Sequence, residues 1–225
     1  MPRSRYDGFA AWYDEYQSGQ MREVTDLAES LTRVMLPGGV GSALDLGCGT
    51  ARHYGTLRSL GYDVFGVDLS TDQLRHARAR GEQCARADAA RLPFPDASFQ
   101  VVVTIMTATD FDDLSLALTD ARRVVANDGY LVLVMAHPCF SGVFEEGNQD
   151  GSVTVFPGYR DHRRFEDHPL LGDGIRSRVG TVNVPLPALL NAVSDAGWRL
   201  ERTEEDARAS AVPILLGIRA RAANR

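Results

Sequence analysis

The sequence predicts an α/β protein, a mostly parallel sheet doubly wound with helices on both faces, and three observations carry that expectation. Short apolar runs such as "SALDL" (42–46), "DVFGVDL" (63–69) and "FQVVVTIM" (99–106) alternate with stretches whose apolar residues recur at helical spacing. The first run stops at two glycines in "ALDLGCGTAR" (43–52). The second carries an acidic residue at its end, Asp68, nineteen positions after Gly49.

Each element follows in order. Val24, Leu27, Ala28, Leu31, Val34 and Met35 fall on one helical face, so 21–36 reads as an amphipathic helix that stops at "PGG" (37–39). The strand 42–46 comes next, then a helix through "TARHYGTLRSLG" that Gly61 can end, then the strand 63–69. Ser70 followed by Gln73 has the spacing of a capping box and opens a helix that Gly81 closes. The run 99–106 is β-branched and short, hence a central strand. Leu114, Ala117, Leu118, Ala121, Val124 and Val125 line a helix, after which "NDG" (127–129) turns the chain into the strand "YLVLVMA". Residues 137–184 break the rhythm, with seven glycines, three of the five histidines and no convincing helix. A helix resumes near 185, and "WRLERTEE" and "VPILLGIRA" close the chain as two strands.

The 225 residues are 44% hydrophobic, with no apolar run near the roughly 18 to 20 residues that a membrane span needs. A net charge of -6 and a pI near 5.4 give no electrostatic footprint for nucleic acid or an anionic membrane, so a small molecule is the expected partner. "MPRSRYDGFAAWYDEY" lacks a secretory apolar stretch and the three cysteines are scattered, so a cytoplasmic location is expected. No histidine or cysteine spacing resembles a zinc site, and no metal is expected.

In a doubly wound sheet, ligands bind beyond the carboxyl ends of the strands. Gly47 and Gly49 remove side chains where the backbone turns out of the first strand, and Asp68 can accept hydrogen bonds from both hydroxyls of a ribose, so the ligand is expected to be a nucleoside. Asp45 is expected to bond the amides of the glycine loop, and Cys48 to serve there by its small size.

"ALDLGCGTAR", "VFGVDLS" and "ADAARLPFPDASFQVVVT", in this order and spacing, closely resemble successive motifs of the class I S-adenosylmethionine-dependent methyltransferases, in particular the small bacterial type 11 group. The resemblance covers roughly residues 40–135. It implies a Rossmann-like, seven-stranded sheet with an antiparallel edge strand, and S-adenosylmethionine as cofactor with S-adenosylhomocysteine as product. It further implies that Gly47 and Gly49 face the methionine part, Asp68 holds the ribose, Leu69 lies beside the adenine, Asp88 meets the adenine amino group, and Ala89, with Asp45 and Cys48, belongs to the cofactor site. Ile105 and Met106 would lie near the sulfonium, and Tyr13 would cover it. Ala51 stands where the family often has glycine, and Gln100 where aspartate is usual.

One domain, 1–225, is expected: a helical cover (1–36), a cofactor-binding core (40–136), a substrate-side excursion (137–184), and a closing helix and strands (185–225). The expected reaction is methylation of a small metabolite on oxygen, nitrogen or carboxylate, with natural-product metabolism as the expected setting, by a monomer or a homodimer. Two other readings stand beside it: an NAD(P)-dependent oxidoreductase, which would want a third glycine, and a protein that binds S-adenosylmethionine without transferring its methyl group. As base, the sequence offers His137, directly after a strand at the ligand edge, and Asp110, after the preceding one. In the excursion, Tyr159, Arg160, His162, Arg176 and Arg178 are placed to line a pocket for an aromatic or acidic substrate, with Tyr159, Arg160 and Arg178 the chosen contacts. Asp161, Glu166, Asp167 and Asp173 stand among them, as in a solvated, ion-paired loop.

Overall fold

A computed structural model describes residues 3–207 and 212–223. Seven strands form one sheet: β1 (Gly41–Leu46), β2 (Tyr62–Asp68), β3 (Cys84–Arg86), β4 (Phe99–Ile105), β5 (Val125–Ala136), β10 (Trp198–Glu205) and β11 (Leu215–Ala222), in the order β10-β11-β5-β4-β1-β2-β3. β1 runs parallel to β2 and β4, β4 to β5, and β2 to β3. The expected reversal at the sheet's edge comes from the closing hairpin, in which β11 runs antiparallel to both β5 and β10. The three-residue β3 has no apolar run to announce it.

Both faces of this sheet are covered, and the pleat divides each strand between them. Leu44, Val102, Leu131 and Leu133 belong to the core under α5 (Leu114–Val124) and α7 (Leu186–Asp195). Their neighbours Ala43, Val101, Val103, Val132 and Val134 belong to the core under α2 (Arg22–Met35), α3 (Tyr54–Ser59) and α4 (Thr71–Ala79). Alternate residues enter alternate cores, which is why the central runs of these strands, Val101–Val103 and Leu131–Ala136 among them, are apolar on both faces. α2 buries Ala28, Leu31 and Met35 of its expected apolar face and leaves Val34 exposed. Ser70 caps α4 by accepting from the Gln73 amide, at 3.2 Å.

Two boundaries differ from expectation. The helix after the glycine loop is only the six residues of α3, because Ala51 takes a left-handed φ of 63° and the chain turns through 50–53 before the helix starts. "NDG" makes an irregularity within β5, which is already extended at Val125; the register against β4 shifts between Phe99 and Val101, where the Gly129 backbone closes on Gln100 O.

The excursion holds two small antiparallel pairs, β6 (Glu145–Gly147) with β7 (Val153–Val155) and β8 (Arg164–Phe165) with β9 (Thr181–Val182), and the four-residue helix α6 (Arg176–Val179). It carries a small apolar cluster of its own, Val143, Phe144, Phe165 and Leu171. The amide of Val182 donates to Thr109 O at 2.7 Å, which seats the excursion at the carboxyl end of the sheet. α1 (Ala10–Ser18) lies across the same end. Its Asp14 accepts from Thr50 Oγ1 at 2.9 Å and from Arg52 Nη2 at 3.0 Å, so the chain's first helix is tied to the glycine loop.

Candidate active site at the carboxyl end of the sheet

Chain order reverses between β1 and β4: the chain builds β1, β2 and β3 in one direction and then returns to the other side of β1. A crevice opens at such a switch point. Here it is a cavity of about 340 Å³ lined by the ends of β1, β2 and β4, with Tyr6, Tyr13 and Arg164 over it. A second cavity of about 390 Å³ adjoins it, and Tyr6, Tyr13, Met106 and Asp110 line both.

The first cavity begins at the glycine loop. The amides of Gly47 and Cys48 both donate to Val67 O, at 2.8 and 3.0 Å, and that of Gly49 donates to Asp68 Oδ2 at 2.9 Å. Gly47 (φ 80°) cannot carry a side chain: its Cβ would lie 2.2 Å from Thr107 Cγ2. Gly49 (φ 53°) would place a Cβ in open space, 3.6 Å from Gln73 Oε1. The first glycine therefore lets β1 and β4 meet, and the second leaves the cavity wall bare.

Asp68 is the loop's anchor. Its Oδ2 takes the Gly49 amide and its Oδ1 takes the Ser70 amide at 2.7 Å, which leaves each oxygen further acceptor capacity toward the cavity. Burial raises its pKa above the ordinary value, against the pull of those two amides. Beside it, the buried side chain of Gln73 lines the cavity with neither Oε1 nor Nε2 hydrogen-bonded. Leu69, Asp88, Ala89 and Ile105 complete this wall, with Asp88 Oδ1 holding the Ala90 amide at 3.0 Å. The Cys48 thiol also lines it, pushed well up in pKa by burial and thus neutral.

Met106 follows β4 with a φ of 59°, a left-handed conformation that is costly for a bulky residue. Asp110, four residues on, accepts from Tyr6 Oη on Oδ2 at 3.0 Å; its other oxygen has no hydrogen-bond partner among the described residues. Burial pushes the Asp110 carboxyl up to about 7, although the Tyr6 hydroxyl and then Arg164 and Arg176 favour its ionised form. A carboxyl that titrates near neutrality at the junction of two cavities can receive a proton.

Not every expected residue reaches the cavities. Asp45 is buried behind the loop, and the Gly47, Cys48 and Gly49 amides it was expected to bond are held by Val67 O and Asp68; its Oδ2 has no partner, and burial pushes its carboxyl up to about 7. His137 lines neither cavity. Its Nδ1 accepts the Cys139 amide at 3.1 Å and its Nε2 meets Glu205 Oε1 at 3.1 Å, so both ring nitrogens are engaged in fastening the end of β5. Tyr159 Oη accepts the Leu186 amide at 2.9 Å and supports the start of α7, again outside both cavities. Arg160 is exposed on the surface. Arg178 stacks over the Trp12 ring, its guanidinium carbon 4.2 Å from the centroid, which clamps the excursion onto α1.

In their place stand residues that sequence reasoning passed over or used otherwise. Gln73 has only the signature of a helix cap, and Thr107 none. Tyr6 lies far from Asp110 in sequence. Arg176, weighed beside Arg178, is the arginine that lines the second cavity, and Arg164 lines the first while donating to Asp110 O at 2.7 Å. On the four-residue α6, positions 176 and 178 point to different sides, which no periodicity in a glycine-rich segment could have told.

Comparison with known proteins agrees with this geometry. Residues 44–133 match the methyltransferase domain family. A malonyl-[acyl-carrier protein] O-methyltransferase of Halorhodospira halophila is 36% identical over 145 residues, 60% of this chain and 48% of that protein. A demethylmenaquinone methyltransferase of Thermus thermophilus is 37% identical over 93 residues, 39% of this chain and 42% of its own. The chain thus spans about half the length of the curated relatives it matches. An S-adenosylmethionine-dependent methyltransferase of Mesorhizobium loti superposes with a TM-score of 0.71 at 24% identity, covering 86% of this chain and 97% of that one. A Thermotoga maritima methyltransferase, described as a possible histamine N-methyltransferase, gives 0.66 at 18% identity, covering 95% and 97%.

Proposed function

We propose that the chain, whose residues 44–133 match the methyltransferase domain family and whose fold superposes on that of an S-adenosylmethionine-dependent methyltransferase, transfers the methyl group of S-adenosylmethionine to a small-molecule acceptor seated in the second cavity. The residues present fit the cofactor. Gln73 offers a buried donor and acceptor with no protein partner, Asp68 keeps acceptor capacity on both oxygens, and the wall at Gly49 is bare. An unbonded buried amide costs about 1–3 kcal/mol, so a polar ligand at Gln73 recovers free energy that the chain alone forgoes.

When bound, the cofactor supplies a sulfonium methyl carbon, to which an acceptor heteroatom bonds as the carbon–sulfur bond breaks and its electron pair stays on sulfur. The chain's part is to line up and to take a proton. Met106, Tyr13 and Asp110 line both cavities, and positioning of two reactants against each other can contribute about 7–11 kcal/mol. Asp110, held on Oδ2 by Tyr6, receives the proton of a hydroxyl or amine acceptor on its free oxygen. The observation that carries this reading is the placement of Asp110 on both cavities. A small-molecule acceptor accords with the second cavity's volume of about 390 Å³.

Calorimetric titration tests the cofactor assignment. S-adenosylhomocysteine should bind one to one, and NAD and NADP should not; nicotinamide cofactor binding without S-adenosylhomocysteine binding would overturn it.

A further inference from the structure

Resting on that reading, we infer that the acceptor is an organic anion whose carboxylate is held by Arg176 in the second cavity. Arg176 is half-buried on α6 and faces the cavity from the excursion. Its Nη1 donates to Ser141 O at 3.0 Å and to Gly142 O at 3.2 Å, which fixes the guanidinium plane without neutralising it. Every other arginine that lines the two cavities has a carboxylate partner, Arg5 and Arg164 with Asp112 and Arg52 with Asp14. Arg176 forms no ion pair among the described residues.

Three carboxyls stand nearest in its surroundings. Asp110 is held by Tyr6, Asp173 lies at the cavity's solvent edge, and Glu145 is buried with both oxygens unbonded to any side-chain donor. Burial raises the pKa of Asp110 and Glu145 and lowers that of Arg176, as expected of charges without a paired partner. A desolvated guanidinium with one edge engaged and the other open toward a cavity matches the two oxygens of a carboxylate. The opposite wall is apolar, with Met21, Val24, Met135, Ile214 and Leu215, so the body of the ligand is hydrophobic. The carboxylate is thus a handle, and the group that receives the methyl lies at the other end, toward Met106 and Asp110.

The test is a set of paired ligands. Phenylacetate, 3-phenylpropionate and octanoate, each with its neutral amide, are titrated into protein saturated with S-adenosylhomocysteine and into protein without it. At least one acid should bind ten-fold or more tightly than its amide, and Arg176→Met should abolish that preference while S-adenosylhomocysteine affinity stays within about threefold. The wild-type comparison needs no variant to fold. If no acid outbinds its amide, or if a folded Arg176→Met keeps the preference, the inference fails. Failure of S-adenosylhomocysteine itself to bind would instead defeat the cofactor assignment, and the two results are read from separate titrations.

Discussion

Replacing Asp68 by alanine removes two things at once, and the geometry separates them. The carboxylate holds the Gly49 and Ser70 amides at 2.9 and 2.7 Å, so its loss leaves two partly buried donors short of a partner, at about 1–3 kcal/mol each in stability. If the same carboxylate accepts the two ribose hydroxyls, binding loses a further 1.5–3 kcal/mol or so, the range for a hydrogen bond to a charged group, which corresponds to roughly 10- to 150-fold in affinity. Thermal unfolding reads the first and calorimetric titration with S-adenosylhomocysteine the second. Loosening of the glycine loop would also weaken binding, so the same titration is run with an analogue lacking both ribose hydroxyls. Asp68→Ala should cost the parent ligand at least ten-fold and the dideoxy analogue little. Equal losses for the two ligands, or unchanged affinity for the parent in a folded variant, would refute the ribose contact.

Three further outcomes follow from the same geometry. Burial raises the Asp45 pKa from the ordinary 3.8 to about 7, so between those pH values the folded chain holds a proton that the unfolded chain has lost, and stability falls as pH rises through that window. Asp45→Asn should flatten this dependence and raise the melting temperature at pH 8 more than at pH 4.5; an unchanged pH profile would sink the argument. His137 has its pKa lowered by burial, so acidification through about 6.5 protonates the unfolded chain first and costs stability, a dependence that His137→Gln should weaken while S-adenosylhomocysteine binding is unaltered. Gly47→Ala drives a Cβ to 2.2 Å from Thr107 and should unfold the chain several degrees earlier than Gly49→Ala, whose Cβ meets only Gln73 Oε1 at 3.6 Å; equal melting temperatures would contradict that ordering.

How far the sequence could be read depended on the range of the interaction. The strands that enter both cores announce themselves by short, largely apolar runs, and the glycine loop because the backbone itself, with φ of 80° and 53°, restricts which residues fit. Gly47, Gly49, Asp68 and Met106 are adjacent to such signals and all line the first cavity. The three-residue β3 is fixed by the edge of β2, from Gly66 to Asp68, and has no periodicity of its own. The arginines of the excursion failed for a related reason. In a segment without regular structure the sequence tells which charges are present but not which way each faces, and Arg178 turned to Trp12 while Arg176 turned inward.

His137 and Asp110 show the same limit in the chemistry. Both follow a strand at the ligand edge, and on sequence each is a titratable group in the right place. What distinguishes them lies in distant residues: Glu205 and the Cys139 amide engage both nitrogens of His137, whereas Tyr6 engages one oxygen of Asp110 and leaves the other open. A base must keep an unoccupied acceptor facing the proton it takes, and must titrate near the working pH. Asp110 meets both conditions because burial, which disfavours its charge, outweighs Tyr6, Arg164 and Arg176, which favour it. The base proposed above is thus a residue the fold has left incompletely bonded at the cavities. Gln73 in the first cavity and Arg176 in the second share that property, and together with Asp110 they mark where the cofactor, the reacting group and the acceptor's charge are expected to lie.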